Sequence, residues 1–134
     1  MLNSIYCELY YKHEKELREA IEKVKYECEF SYLTIVSLLV EHVINKVSDN
    51  NCDKYSEKNI TVIDDGDHQG SLIFAIPKRT YQPSPYEYIF AYTYYGSCSG
   101  CDALEAAYGN INDLMLIALD IFESMKFLWD INEC

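Results

Sequence analysis

Two cysteines in a glycine- and serine-rich turn come closest, among the residues of this 134-residue chain, to a chemical motif. Cys98 and Cys101 lie two residues apart in the run Gly-Ser-Cys-Ser-Gly-Cys-Asp at 96–102. A Cys-x-x-Cys pair that follows a strand and begins a helix is the thioredoxin arrangement, in which the helix end favours the thiolate. The same spacing also supplies half of a structural zinc site. The pair therefore predicts either thiol redox chemistry or metal binding, and its surroundings decide how far each hypothesis holds.

The residues around the pair do not favour redox chemistry. No strand-helix-strand pattern precedes it, as a thioredoxin-like motif requires. The charges that follow, Asp102 and Glu105, are negative, and negative charge near a thiol disfavours the thiolate. Redox chemistry at Cys98 and Cys101 is therefore an alternative hypothesis and not the first one.

A zinc site would need two further ligands, and no second Cys-x-x-Cys or closely spaced histidine pair supplies them. Folding would have to bring them from a scattered set: Cys7, Cys28, Cys52, Cys134, His13, His42 and His68. We therefore expect no cofactor, with zinc at Cys98 and Cys101 as the open alternative. A phosphate site is not expected either, because Asp102 stands where the anion would bind and no lysine or arginine lies nearby.

The simplest interpretation of the turn is structural. Asp102 is a favoured helix-capping residue, and Glu105 follows three positions later, which resembles a capping box with Asp in place of Ser or Thr. The turn is then a capped connection between a strand and a helix. No motif for a nucleophilic serine or cysteine is present, so the residues favour a binding protein over an enzyme.

The charge is strongly negative and unevenly distributed. The formal net charge is −11, and after Arg79 the only basic residue is Lys126, against eight acidic residues. Repulsion from phosphate opposes direct binding to nucleic acid or to an anionic membrane. The need for a soluble surface would by itself explain the negative charge. The acidic C-terminal part also fits a partner protein with a basic surface.

Hydrophobic periodicity predicts one α+β domain over residues 1–134. We expect two N-terminal helices, a three-stranded antiparallel meander and two C-terminal helices packed on the sheet. The predicted helices cover residues 7–28, 31–47, 102–109 and 112–130, and the predicted strands cover 60–63, 72–76 and 86–95.

Two predicted elements carry candidate contact residues. The third strand places its aromatic side chains on one face: Tyr86, Tyr88, Phe90, Tyr92 and Tyr94. The last helix places four acidic side chains within a third of its circumference: Asp113, Asp120, Glu123 and Asp130. We expect these acids to bind the partner, with exposed tyrosine as an anchor. Self-assembly through the tyrosine-rich strand is a further alternative.

The chain contains no apolar run long enough to span a bilayer, and its start lacks the pattern of a secretory signal. We therefore expect a cytoplasmic protein that does not bind membranes. In that compartment cysteines are reduced, so the six cysteines are expected to be thiols.

Three stretches resemble small uncharacterised proteins encoded by bacteriophages and their hosts. They read QGSLIFAIP at 69–77, TYQPS at 80–84 and YGSCSGCD at 95–102. The resemblance covers residues 69–130, and Ala103 departs from it, since those proteins commonly have threonine there. It implies a phage protein that acts in the host cytoplasm by binding a host protein, such as an inhibitor of a defence or nucleic-acid-processing protein. It carries over no catalytic residue.

Overall fold

The computed structural model describes residues 2–64, 70–96 and 102–128, which form four α-helices and a four-stranded antiparallel sheet. The mixed α+β class predicted from the sequence is confirmed. The helices are α1 (Ser4–Val24), α2 (Tyr32–His42), α3 (Ala103–Ala107) and α4 (Ile111–Ser124). The strands are β1 (Thr61–Asp64), β2 (Gly70–Pro77), β3 (Tyr88–Tyr95) and β4 (Lys126–Phe127).

The two N-terminal helices were both predicted, although their ends differ from the prediction. Asn3 caps α1 by accepting hydrogen bonds from the backbone N–H groups of Ile5 and Tyr6, so this helix begins earlier than expected. Helix α2 ends at His42 because Val43 leaves helical geometry, and Ile44–Val47 forms a 3₁₀ turn instead. No helix in the described ranges is long and apolar enough to cross a bilayer.

The sheet has the strand order β1-β2-β3-β4, which adds one strand to the predicted three-stranded meander. The prediction of a helix that continues to residue 130 is wrong. Met125 adopts an extended ψ of 133°, and its fully buried side chain enters the core. Lys126 and Phe127 then pair with Phe90 and Ile89, so the backbone continues its hydrogen bonding on the edge of β3. The helical periodicity of these residues predicts a longer helix and does not show that Lys126 and Phe127 pair with β3 instead.

The two faces of the sheet have different surroundings. Phe74, Ile76, Ile89 and Ala91 point into the core, and α4 packs on β3 on this side. The opposite face, called here the outer face, carries the alternate side chains of β3: Tyr88, Phe90, Tyr92 and Tyr94. This alternation was predicted and is confirmed from residue 88 onward. Tyr86 was wrongly included, because Pro85–Glu87 forms a 3₁₀ turn before the strand.

Candidate functional site

The described ends of the cysteine turn meet at one buried carboxylate. Cys98 and Cys101 themselves lie outside the described residues, whereas Asp102 is described and only 7% exposed. Its Oδ1 accepts hydrogen bonds from the Tyr32 hydroxyl at 2.7 Å and from the Gly96 N–H at 3.3 Å. Its Oδ2 accepts from the Glu105 N–H at 3.0 Å, which caps α3 as predicted. Asp102 thus joins the end of β3 to the start of α3.

The described cysteines and histidines form no metal centre. Cys7, Cys28 and Cys52 are free thiols, and His42 Nδ1 lies 2.7 Å from Glu16 Oε2. That hydrogen bond lowers the pKa of Glu16 below its usual value. Over residues 2–64, 70–96 and 102–128, no three His, Cys, Asp or Glu side chains converge on a point that could hold an ion. Zinc binding or redox chemistry at the cysteine pair therefore stays a prediction.

The acidic residues of α4 form a single exposed stripe. Asp113, Asp120 and Glu123 are exposed, and their spacing of seven and three residues places them on one side of the helix. Leu116 lies on the same stripe with 62% of its surface exposed. Asp130 was predicted to share this face, but it lies outside the described residues and beyond the end of α4.

These three carboxylates have no cationic neighbour within the described part of the chain. No lysine, arginine or histidine nitrogen there lies within 4.0 Å of Asp113, Asp120 or Glu123. By contrast, Glu57 lies 2.9 Å from the Arg79 guanidinium, and Glu16 contacts both His42 and Lys46. The three acids of α4 thus differ from Glu57 and Glu16 in having no salt bridge among the described residues.

Two exposed tyrosines lie beside this acidic stripe. Tyr92 and Tyr94 of β3 are 56% and 57% exposed, although both are large aromatic residues. Tyrosine contributes a rigid ring and a polar tip, which suits it to contact surfaces. We use the name acidic-aromatic surface for Asp113, Leu116, Asp120 and Glu123 of α4 together with Tyr92 and Tyr94 of β3.

Two cavities join the halves of the acidic-aromatic surface. The first, of about 490 Å³, opens on the outer face and is lined in part by Tyr92, Glu123 and Lys126. The second, called here the edge cavity, has a volume of about 330 Å³ and lies between β3 and α4. Its lining includes Tyr92, Tyr94, Ile117 and Asp120. Tyr92 lines both cavities, so it adjoins both Glu123 and Asp120, and Asp113 and Leu116 extend the stripe along α4 from there.

Ser124, the last residue of α4, connects α4 to β3 by a hydrogen bond. The Tyr92 N–H donates to Ser124 Oγ at 3.0 Å, and the Ser124 hydroxyl donates to the Ile121 carbonyl at 2.5 Å. Ser124 thus continues the edge pairing of β3 where β4 stops. No local pattern predicts this contact, because it joins positions 32 residues apart. Leu116, also missed, could have been found from its helical spacing to Asp113 and Asp120.

Comparison with known proteins adds no relative to this description. No protein-family model matches the chain, no curated protein matches its sequence, and no solved structure matches its fold. The resemblance to phage-encoded proteins therefore stays a prediction. Function is inferred below from the residues of this chain.

Proposed function

We propose that this chain is an acidic protein-binding module whose partner is a protein with a basic surface. The observation that carries the proposal is the exposed stripe of three carboxylates, Asp113, Asp120 and Glu123, which form no salt bridge within 4.0 Å in the described structure. Opposite charges across an interface speed association and select among partners. A basic surface on another protein is the chemical complement of this stripe.

The tyrosines beside the stripe support protein binding rather than solvation alone. A charged face that serves only solvation needs no large exposed rings, whereas Tyr92 and Tyr94 are both more than half exposed. Tyrosine is enriched among the residues that contribute most to protein interfaces. In the proposal these two rings provide the buried anchors of the contact, and the carboxylates provide its orientation.

The charge of the chain also favours a class of partner. Proteins that bind or cut nucleic acids carry basic surfaces, because they must neutralise phosphate groups. A protein with a net charge of −11 can occupy such a surface in place of nucleic acid. Together with the resemblance to phage-encoded proteins, this leads us to propose an inhibitor of a host defence or nucleic-acid-processing protein.

Affinity capture from a lysate of the bacterial host tests this proposal. Wild-type protein should retain a protein with an isoelectric point above about 9, and moderate salt should release it. The purified partner should lose nucleic-acid binding when the wild-type chain is added. Capture of acidic proteins only, or a partner that still binds nucleic acid at saturation, would contradict the proposal.

A variant in which Cys98 and Cys101 are both replaced by serine separates this proposal from the thiol alternative. The acidic-aromatic surface contains neither cysteine, so the variant should capture the same partner with unchanged affinity. If the variant folds but no longer inhibits the partner, redox or zinc chemistry at the pair becomes the better explanation. Metal analysis of the wild-type protein would then decide between those two.

A further inference from the structure

The edge cavity lies along the edge of β3, beyond the two residues that pair with β4. The Tyr92 N–H points to this edge, since it donates to Ser124 Oγ. Alternate residues of a strand direct their N–H and C=O groups to the same edge, so those of Tyr94 also point toward the cavity. Strand β4 pairs only with Ile89 and Phe90, and no described strand lies opposite Tyr94 on this side.

The walls of the edge cavity combine apolar surface with hydrogen-bond acceptors. Ile117 of α4 and Ala103 of α3 supply the apolar part. Asp120 supplies an exposed carboxylate that has no cationic neighbour in the described structure. Tyr32 also lines the cavity, but its hydroxyl already donates to Asp102. Among the lining residues, the Asp120 carboxylate offers a charged acceptor, and the Tyr94 carbonyl, which strand alternation directs to this edge, offers a backbone acceptor.

We propose that the edge cavity receives one arginine side chain from the basic surface of the partner. The inference rests on the proposed function and specifies how the partner is recognised. The methylene groups of arginine would lie along Ile117 and Ala103, as such stems commonly cover apolar surface. The guanidinium would donate two hydrogen bonds to the Asp120 carboxylate and one to the Tyr94 carbonyl.

Arginine fits these walls better than lysine does. Its planar group has five N–H donors in a fixed fork that matches a carboxylate, whereas the lysine ammonium is a strongly hydrated point charge. Guanidinium groups also stack on aromatic rings, and Tyr92 and Tyr94 lie at the cavity. The site should therefore select arginine on its shape and not on its charge alone.

An amide NMR titration with N-acetyl-arginine amide tests the inference on the full chain. Saturable shifts are expected at Tyr94, Ile117 and Asp120. N-acetyl-citrulline amide, a neutral molecule of nearly the same shape, should cause none. The variant Asp120→Asn should bind the arginine compound at least about tenfold more weakly, since it loses a charge-assisted bidentate contact. Asp49→Asn is the matched control and should bind like wild type, because it removes the same charge from an exposed position outside the acidic-aromatic surface.

Three results would overturn the arginine site: no localised shifts, equal shifts with citrulline, or equal weakening by Asp120→Asn and Asp49→Asn. Circular dichroism of both variants checks that they fold, which is expected because both side chains are exposed. If a basic partner is captured but arginine causes no localised shift, the proposed function stands and the arginine site fails. If arginine binds as expected but no basic partner is captured, the proposed function fails.

Discussion

The hydroxyl of Tyr32 donates a hydrogen bond of 2.7 Å to the buried carboxylate of Asp102, across 70 positions of sequence. The same hydroxyl accepts from the Leu104 N–H at 3.2 Å, so it contacts both the capping residue and the first turn of α3. Tyr32 is the first residue of α2, and Asp102 precedes α3. The pair therefore connects the start of α2 to the start of α3.

Removing this hydrogen bond should destabilise the fold measurably. We expect Tyr32→Phe to lower the free energy of unfolding by about 1.5–3 kcal/mol, the range for hydrogen bonds to charged groups. Asp102→Ala should cost more, because it also removes the cap of α3 and leaves the Gly96 N–H without this acceptor. Urea unfolding of both single variants and the double variant measures these losses. Losses that simply add would show that the two side chains do not interact.

Stability should fall at high pH through buried tyrosines. Burial, followed by the nearby carboxylate of Glu14, raises the pKa of Tyr10 to about 12, and burial also raises the pKa of Tyr32 and Tyr55. The folded-state pKa values of these three tyrosines lie above the ordinary value of 10.0. The protonated tyrosines therefore make their full contribution to the free energy of unfolding below pH 10.0. The contribution of Tyr10 is lost as pH rises from there through its folded-state pKa of about 12, and the contributions of Tyr32 and Tyr55, whose pKa values are also raised, are likewise lost on the alkaline side of pH 10.0.

Tyrosine absorbance and circular dichroism, followed together during alkaline titration, check this pH dependence. The helical signal should still be intact at pH 10.0. The buried rings should ionise only as that signal disappears. One absorbance transition near pH 10.0 that includes all 13 tyrosines, with the fold preserved, would contradict the burial described above.

The turn between α3 and α4 should require glycine at one position. Gly109 has a φ of +75°, which other residues adopt only with strain, and a Cβ there would touch the ring of Tyr26. We expect Gly109→Ala to cost about 1–2 kcal/mol in the free energy of unfolding. Since Tyr26 is 69% exposed, its ring can move aside, and adding Tyr26→Ala should not restore the loss. Full recovery in that double variant would assign the cost to the ring contact instead of the backbone.

Local patterns predicted much of this fold because the forces behind them are local. The cap at Asp102 depends on a residue three positions away, and the alternation from Tyr88 to Tyr94 depends only on strand geometry. The acidic stripe of Asp113, Asp120 and Glu123 likewise follows from helical spacing.

The features that were missed depend on contacts between distant segments. Strand β4 forms because Met125 enters the core and Lys126 reaches the edge of β3, neither of which periodicity encodes. The contact of Tyr92 with Ser124 also joins distant segments, and both residues line the edge cavity. The prediction for Asp130 assumed a helix that continues past Ser124, where α4 ends, and because Asp130 lies outside the described residues its role stays a prediction.

Affinity for the captured partner, measured by titration calorimetry, tests the central claim most directly. The variant Asp113→Asn/Asp120→Asn/Glu123→Gln removes three negative charges from the acidic-aromatic surface, and Glu8→Gln/Glu14→Gln/Glu19→Gln removes three exposed charges from α1. The first variant should bind at least about a hundredfold more weakly, since it loses several charged contacts of about 1 kcal/mol or more each. The α1 variant should stay within about threefold of wild type, because only long-range attraction changes. Equal weakening in both variants would show that net charge alone drives binding, and no weakening in the first would show that α4 does not contact the partner.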